Sequence, residues 1–567
     1  MIKNAKLPAL VALVSLALSG FAQSKTDAPK TNPISLPPIT LPADVKAAMN
    51  DVSADQIKAD ITYLADDKLQ GRGPGTPGYQ MAVDYVTQRL KDIGVKPAGE
   101  KGTWIQTVKF RKSFSTDGLM TIAGGPELKK GTDYSISSNP AKASVKATAD
   151  LVFVGYGASQ PKLGYDDYAG VDVKGKIVVV IAGVPDKFSS SVAAHTRNRT
   201  TIMKAASDHG AIGVLTATID TSTRGRGGRG PGGPGGPGGG APRGINNIVD
   251  ENGKTVVSSV QYGNIDVNGT LGAQLFLSLA QKQGKDMAAI ATQLKAGTPN
   301  SFDLKTKVEV SYTSTYQDMI SYNVIGTIEG SDKKLKKQYV VHSAHLDHLG
   351  IGRPVQGDSI YNGAHDNASG CASVLAIAKQ YQSLKVKPKR SVLFVLMTGE
   401  ELGDMGSSYY AKHPTVPVGS MVADVNTDMP TIIAPLLSVT ALGAEHSSLA
   451  NQVAEAATYL NLGVEDDPEP EQARFTRSDQ YSFVVNGIPA LHIKYGAKTA
   501  DGKNNLNEFV QAWRAKYYHK PQDDINGIFD FNAGKTYAEL NFLIGWLVAQ
   551  DPKKPTWNKG DIFETEE

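Results

Sequence analysis

The sequence predicts a multidomain protein of the α/β class, with a β-rich module inserted into the α/β domain. A length of 567 residues exceeds what one hydrophobic core usually supports. Short apolar runs alternate with helical stretches throughout residues 301–550, as is typical of an α/β domain. Residues 140–300, in contrast, are rich in short strand-like runs. We therefore expect the α/β domain to begin within residues 45–139 and to resume after the module.

Two amphipathic helices are predicted in the first part of the α/β domain. The capping box Ser53–Gln56 precedes apolar residues at helical spacing and indicates the start of the first helix. A Gly/Pro-rich turn over residues 71–78 leads into the second helix, which ends at Gly94. The strands predicted from short apolar runs are Leu151–Val154, Ile177–Ile181 and Ile212–Leu215 in the module, then Tyr339–Val341, Val392–Met397, Met421–Val425 and Ile488–Ile493.

The first segment has the pattern of a signal peptide. Two lysines precede an apolar run over residues 7–18, and small residues follow it, so we predict a signal peptide over residues 1–22 and export to the periplasm or the medium. The run is short for a bilayer core of about 30 Å, and we expect no membrane span after its removal. Residues 23–44 are rich in proline and are interpreted as a linker, and residues 551–567 as a C-terminal tail.

Composition narrows the possible partners and the possible covalent links. A net charge of +3 and a hydrophobic share of 40% are ordinary for a soluble protein and give no indication of nucleic acid as a partner. Nothing in the composition indicates an oligomeric state. The single cysteine, Cys371, excludes an intrachain disulfide. Its apolar surroundings favour a packing role over that of a nucleophile.

Residues 224–244 are almost entirely Gly, Pro and Arg. They contain a GxGxxG pattern and an RGG-like opening, which raise a dinucleotide site or RNA binding as alternatives. Prolines disfavour the helix that a dinucleotide fingerprint requires, and RNA binding fits poorly with export. We interpret the segment as a solvated, mobile loop, because it cannot bury enough apolar surface to become ordered.

Polar residues that suit metal binding follow the predicted strands of the later region. His345 comes just past a strand, with Asp347 two residues on, placed to accept the other ring N–H of the imidazole. Asp366 lies in a loop of Gly, Asn and Ser before a helix, where capping of that helix is the alternative role. The adjacent carboxylates Glu400 and Glu401 would repel each other if merely buried, which predicts a cation nearby.

Asp428, after the next strand, and His519, after a long gap, complete the set. Two His, two Asp and two Glu are the donors that two zinc ions sharing one bridging carboxylate would require, with one further carboxylate left to handle protons. The absence of thiolate donors argues against a closed structural zinc site.

Six motifs in order resemble those of the di-zinc aminopeptidases, a family that also includes glutamate carboxypeptidases and glutaminyl cyclases. They are Ala344–Asp347, Gly363–Gly370, Gly399–Glu401, Asn426–Asp428, Arg477–Asp479 and His519–Asp523. The resemblance implies a three-layer α/β/α zinc-peptidase domain with a mixed, mostly parallel sheet. It also implies that residues 140–300 are similar to a protease-associated domain.

The same resemblance assigns roles to individual residues. Asp366 would bridge two Zn²⁺ ions per chain, with His345 and Asp428 completing one site and Glu401 and His519 the other. Glu400 would be the general base, and Asp347 would orient His345. The implied substrates are peptides.

Further candidates surround this set. Tyr495 is a candidate oxyanion donor, with a packing role as the alternative, and Arg474 and Arg477 are candidates for steering a substrate carboxylate, with structural ion pairs as the alternative. Gln480 stands where the family often has His, which predicts an altered pocket wall. The favoured function is that of an exported aminopeptidase. A carboxypeptidase, a glutaminyl cyclase or a noncatalytic binding protein of the same fold are the alternatives.

Overall fold

The computed structural model describes residues 39–219 and 244–565. The predicted signal peptide, residues 23–38 of the linker, nearly all of the Gly/Pro/Arg loop and the last two residues of the tail lie outside the described residues. Within the described ranges, no helix combines the length and the apolar character needed to cross a membrane.

Thirteen α-helices are found in the described part of the chain, and the first two predicted helices are confirmed. Ser53 caps one by accepting the backbone N–H of Gln56. Thr76 caps the other, which ends where Gly94 adopts a left-handed conformation (φ 90°). The helices are α1 Ala43–Asn50, α2 Ala54–Leu64, α3 Pro77–Ile93, α4 Ser190–Arg197, α5 Arg199–Asp208, α6 Ala273–Lys282, α7 Met287–Lys295, α8 Ser369–Ser383, α9 Met405–Lys412, α10 Leu449–Tyr459, α11 Gln480–Val484, α12 Leu506–Tyr517 and α13 Phe531–Gln550.

All seven predicted strands are present, with ends shifted by up to seven residues. The strands are β1 Lys96–Pro97, β2 Ile105–Ser115, β3 Leu119–Ile122, β4 Tyr134–Ile136, β5 Ser144–Phe153, β6 Ser159–Gln160, β7 Tyr165–Asp166, β8 Ile177–Ile181, β9 Gly213–Ala217, β10 Ile245–Val249, β11 Thr255–Ser258, β12 Val267–Leu271, β13 Phe302–Ile328, β14 Tyr339–His345, β15 Gly350–Val355, β16 Asp358–Tyr361, β17 Ser391–Met397, β18 Met421–Asn426, β19 Ser438–Leu442, β20 Gly463–Glu465 and β21 Ala490–Tyr495.

The first large sheet confirms the α/β architecture. Its order is β11-β10-β2-β13-β17-β14-β18-β21-β19-β20, and the four strands β17, β14, β18 and β21 are parallel. Along β17, Phe394 and Leu396 point into a core shared with α2, α8 and α13, whereas Leu393 and Val395 point into a second core shared with α9 and α11. Helices therefore cover both faces of the sheet, which gives three layers.

The second large sheet has the order β3-β13-β5-β8-β9-β12-β4. Its parallel strands β5, β8, β9 and β12 lie between helices α5 on one face and α6 and α7 on the other. The pairing extends beyond residues 140–300 on both sides, because β3, β4 and the first half of β13 belong to it. The 27-residue strand β13 is shared by both sheets.

Candidate metal centre

The predicted ligands gather at the carboxyl ends of the parallel strands of the first sheet. His345 is the last residue of β14, and the Glu400–Glu401 pair and Asp428 follow the neighbouring strands β17 and β18. Because these strands run parallel and are paired in register, their ends meet at one edge of the sheet. Gly399 adopts φ 74°, which lets the chain turn sharply before Glu400.

The first donor group consists of His345, Asp366 and Asp428, whose ligand atoms all lie within 4.8 Å of one another. His345 Nε2 is 3.4 Å from Asp366 Oδ1 and 3.4 Å from Asp428 Oδ1. Burial would lower the pKa of His345, but the carboxylates of Glu400, Asp366 and Asp428 raise it well above its usual value. Asp366 does not cap α8, because the side chain of Asn367 accepts the N–H of Gly370 instead.

The second donor group consists of His348, Asp366 and Glu401, again with ligand atoms within 4.8 Å of one another. His519 joins them, since its Nε2 lies 3.2 Å from Asp366 Oδ2 and 3.4 Å from Glu401 Oε2. Asp366 thus faces the first group through Oδ1 and the second through Oδ2, which is the arrangement of a bridging carboxylate. His348 was not among the predicted ligands. Its only signal in the sequence is its place in the His-rich segment that contains His345.

The contacts within these groups fit a cation better than they fit hydrogen bonds. His348 Nδ1 approaches Glu401 Oε1 to 2.7 Å, yet among the described residues neither of these buried atoms has a hydrogen-bond partner. Buried polar atoms without partners are costly, so their convergence calls for a bound group. Imidazole and carboxylate donors at such spacing suit zinc. The residues present therefore fit the implied metal.

The predicted contact between Asp347 and His345 is wrong in one respect. The Nδ1 atom of His345 lies 3.1 Å from the backbone oxygen of Asp347 and not from its carboxylate. That carboxylate instead accepts the backbone N–H groups of Glu400 and Glu401, at 3.2 and 3.4 Å. The chain turns between β14 and Asp347, so the side chain points toward the end of β17. Asp347 therefore contacts His345 through its backbone oxygen, and it holds the backbone of Glu400 and Glu401 through its carboxylate.

Buried polar side chains hold the loop that carries Asp366. The guanidinium of Arg72 donates to the backbone oxygens of Leu64, Leu346, Asn362 and Gly363. The carboxylate of Asp523 accepts the N–H of Asp366 at 3.1 Å and that of His365 at 3.0 Å. Asn367 Nδ2 donates to the backbone oxygen of Thr427, which links this loop to the segment before Asp428. These bonds fix the bridging carboxylate relative to the strand ends.

The remaining sequence candidates are Tyr495, Arg474 and Arg477. Tyr495 is buried against Leu506 and Val510, and burial raises its pKa to about 12. Arg477 is exposed. Within the described ranges, no recorded hydrogen bond or ion pair joins Tyr495 or Arg477 to either donor group. Arg474 pairs with Asp467 and lies 3.8 Å from Glu469, which agrees with a structural ion pair.

Two interior residues and one overlooked tyrosine complete the surroundings. Gln480 is buried and bonded to Asn426 and to the backbone of Phe475, so it supports the strand end and does not form a pocket wall. The Cys371 thiol is buried and donates to the backbone oxygen of His345, in agreement with a packing role. The Tyr518 ring stacks on His519 at 3.8 Å. Burial and the nearby carboxylates of Asp366 and Glu401 raise the pKa of Tyr518 above its usual range.

The fold and the centre together define a class of protein. A three-layer α/β domain carries, at the carboxyl edge of its parallel strands, two donor groups that share one carboxylate and that adjoin a further glutamate outside both groups. Two metal ions held in this way are an arrangement that metal-dependent hydrolases use.

Comparison with known proteins relates part of the chain to a peptidase family. Residues 323–540 match the model of peptidase family M28. This segment spans β14, β17, β18 and every candidate ligand, so the resemblance drawn from the six motifs is confirmed. Residues 323–540 are therefore similar to a family M28 peptidase domain.

The chain aligns with about half of one named relative and with most of another. The chain is 24% identical over 291 residues to a probable leucine aminopeptidase 2 of Aspergillus oryzae, which covers 48% of this chain and about half, 53%, of that relative. It is 24% identical over 532 residues to the probable lipoprotein aminopeptidase LpqL of Mycobacterium tuberculosis, covering 89% of this chain and 87% of that protein. Among solved structures, an aminopeptidase from Aneurinibacillus sp. strain AM-1 matches with 19% identity and a TM-score of 0.43, over 90% of this chain and 97% of that chain.

Proposed function

We propose that the chain is an exported, zinc-dependent aminopeptidase that removes residues from the amino termini of peptides. The observation that carries the proposal is the pair of donor groups sharing Asp366, with Glu400 beside them and outside both. His345 and Asp428 would hold one Zn²⁺, Glu401 with His519 would hold the other, and His348 is an additional donor on that second side. We also propose that the region of the second sheet is a protease-associated domain.

Glu400 would act as the proton carrier of the reaction. When bound, the zinc pair would lower the pKa of a water molecule and polarise the scissile carbonyl. Glu400 would accept the proton of the attacking water and deliver it to the leaving amine. Burial raises the pKa of Glu400 well above its usual value, which makes this carboxylate a stronger proton acceptor than an exposed glutamate. Asp347 fixes the backbone of Glu400 for this task.

Buried carboxyl groups around the centre support an amino terminus as the substrate group. Eight buried or half-buried carboxyl groups surround it, against four buried or half-buried cationic side chains, Arg72, Lys494, Arg474 and Arg514. The carboxyl groups belong to Asp347, Asp366, Glu400, Glu401, Asp404, Asp428, Asp479 and Asp523. Burial raises the pKa of several of these acids, Asp404 among them, and a nearby ammonium group would favour their charged form and be bound in return. Tyr518, whose ring stacks on His519, is a further candidate for stabilising an oxyanion.

The division of labour between the adjacent glutamates tests this mechanism. We expect Glu400→Gln to lower kcat by about 10²–10⁴-fold while the zinc content stays that of the wild type, because the substitution removes only the proton carrier. Glu401→Gln should instead lower the zinc content. Zinc per chain and the hydrolysis rate are measured on the same samples. Full activity of zinc-loaded Glu400→Gln would refute the assigned base.

A substrate panel tests which end of the peptide is cleaved. Amino-acid anilides, N-blocked dipeptides with free carboxyl termini and amino-terminal glutaminyl peptides are compared on the zinc-loaded protein. Hydrolysis of the anilides supports the aminopeptidase. Hydrolysis of the blocked dipeptides alone would establish a carboxypeptidase, and cyclisation alone a glutaminyl cyclase. Fewer than one zinc per chain after loading would favour a binding protein.

A further inference from the structure

Arg514 occupies a distinctive position beside the metal centre. It lies on α12, and its guanidinium stacks over the ring of Tyr518 at 3.9 Å. Its Nη1 is 3.9 Å from Met429 Sδ. Met429 directly follows Asp428, and Tyr518 directly precedes His519. Arg514 therefore lies between the two segments that carry one candidate ligand from each donor group.

Arg514 has no acidic partner in the part of the chain that the structure describes. None of the ion pairs within 4.0 Å involves it, although it is half-buried. Its neighbour Arg474 differs, because Asp467 and Glu469 flank that guanidinium. The positive charge of Arg514 acts on His519, where it opposes the raised pKa, and on Lys494, where it contributes to a lowered pKa. The acids of the centre converge on the donor groups, so they leave this guanidinium uncompensated.

An unpaired, planar guanidinium is suited to bind a carboxylate. It presents several N–H donors in a fixed fork that matches the two oxygens of the anion. The contact with the Tyr518 ring, 3.9 Å from the guanidinium carbon to the ring centroid, limits the positions that the guanidinium can adopt. A peptide whose amino terminus lies among the acids of the centre can offer such an anion in two ways. One source is the acidic side chain of its first residue, and the other is the terminal carboxylate of a dipeptide.

We propose that Arg514 is a specificity-determining residue that binds a carboxylate of the peptide substrate next to the scissile bond. This inference rests on the proposed function. We therefore expect the chain to cleave peptides with a carboxylate beside the scissile bond more efficiently than otherwise identical neutral peptides.

Two matched substrate pairs separate the sources of the carboxylate. Glu-p-nitroanilide is compared with Gln-p-nitroanilide, and the dipeptide Leu-Leu with Leu-Leu amide, all on full-length zinc-loaded protein. In the wild type we expect kcat/KM to be at least about tenfold higher for the charged member of one pair, the worth of one well-formed guanidinium–carboxylate bond. In Arg514→Gln this ratio should fall toward one, chiefly through KM. Arg514→Lys should retain part of it, since the charge remains and the fork is lost.

The control is Lys516→Gln, which removes an exposed cation from the same helix and should leave the ratio at its wild-type value. Product binding gives a readout apart from turnover: the Kd of L-glutamate relative to L-glutamine should weaken in Arg514→Gln. If the preference for the charged substrate falls only in the anilide pair, Arg514 binds the acidic side chain of the first residue. If it falls only in the Leu-Leu pair, Arg514 binds the terminal carboxylate of a dipeptide. Unchanged ratios in both pairs, with all four compounds hydrolysed, would overturn the role of Arg514 alone. No hydrolysis of any of them by the zinc-loaded wild type would refute the proposed function as well.

Discussion

Two clusters of histidine and carboxylate occur in this molecule, and they differ in how their polar atoms are satisfied. At the centre, the atoms of His348 and Glu401 converge without a hydrogen-bond partner among the described residues. In the second cluster, His446 Nδ1 lies 2.7 Å from Asp561 Oδ2 and its Nε2 lies 3.0 Å from Ser191 Oγ. Residue type alone would make the second cluster look like a catalytic Ser–His–Asp set.

The surroundings of His446 indicate a structural joint. Its ring stacks on Phe475 and meets the edge of Phe563, and only 5% of the residue is exposed. Ser191 lies on α4, which contacts α5, while Asp561 lies near position 565, at the end of the described residues. Three distant segments are thus joined by bonds that are already complete. At the centre, convergent atoms without partners call for a bound group, whereas the complete bonds of His446 and its packing between aromatic rings indicate a joint.

The largest effect is expected from the shared carboxylate of the centre. Asp366→Asn removes a charge from both donor groups at once, so zinc affinity should fall by more than about 100-fold, because loss of even an outer partner of a ligand can cost 10–100-fold. The loss of zinc affinity is measured as the zinc content that remains after dialysis, and the peptidase rate is measured on the same samples. Retention of two ions with full activity would show that Asp366 does not bridge.

A change in the second cluster should affect stability without affecting the metal. His446→Ala leaves Ser191 and Asp561 without their partner and should lower the free energy of unfolding by about 1–3 kcal/mol. Thermal unfolding and zinc content are measured together, and the exposed His209→Ala serves as the control. If the variant kept its stability and lost peptidase activity, the distinction between the two clusters would fail.

A further effect, on the pH dependence of stability, concerns a buried carboxylate of the second sheet region. Asp167 accepts the N–H groups of Tyr156 and Ala158 and the hydroxyl of Tyr165, yet burial raises its pKa to about 7. A raised pKa means that the folded state binds the proton more tightly than the unfolded state. The contribution of Asp167 to stability is therefore complete below pH about 4 and is lost as the pH rises through about 7.

Urea unfolding between pH 4 and pH 8 checks this slope. The wild type should lose more stability across this range than Asp167→Asn, whose amide does not titrate. Asp172→Asn, at a side chain that is 75% exposed, should retain the wild-type slope. Equal slopes for the wild type and Asp167→Asn would contradict the assignment.

The sequence predicted those parts of the structure that depend on local pattern. Apolar runs located β8 and β17 almost to the residue, and the acids after strands indicated the edge where the ligands meet. Loop geometry could not be predicted in this way. The turn after β14 brings His348 to Glu401 and directs the carboxylate of Asp347 to the backbone, and neither follows from spacing. The length of β13 was also missed, because its polar alternation gives no sign that two sheets share it.

The shared strand has a mechanical consequence. Residues 302–313 of β13 are hydrogen-bonded into the second sheet, and residues 314–328 into the first, with no loop between them. A pulling force applied across the molecule would load both ladders through one continuous backbone. We therefore expect stretching to rupture the two sheets in a single event, whereas two domains joined by a flexible tether would give way one after the other.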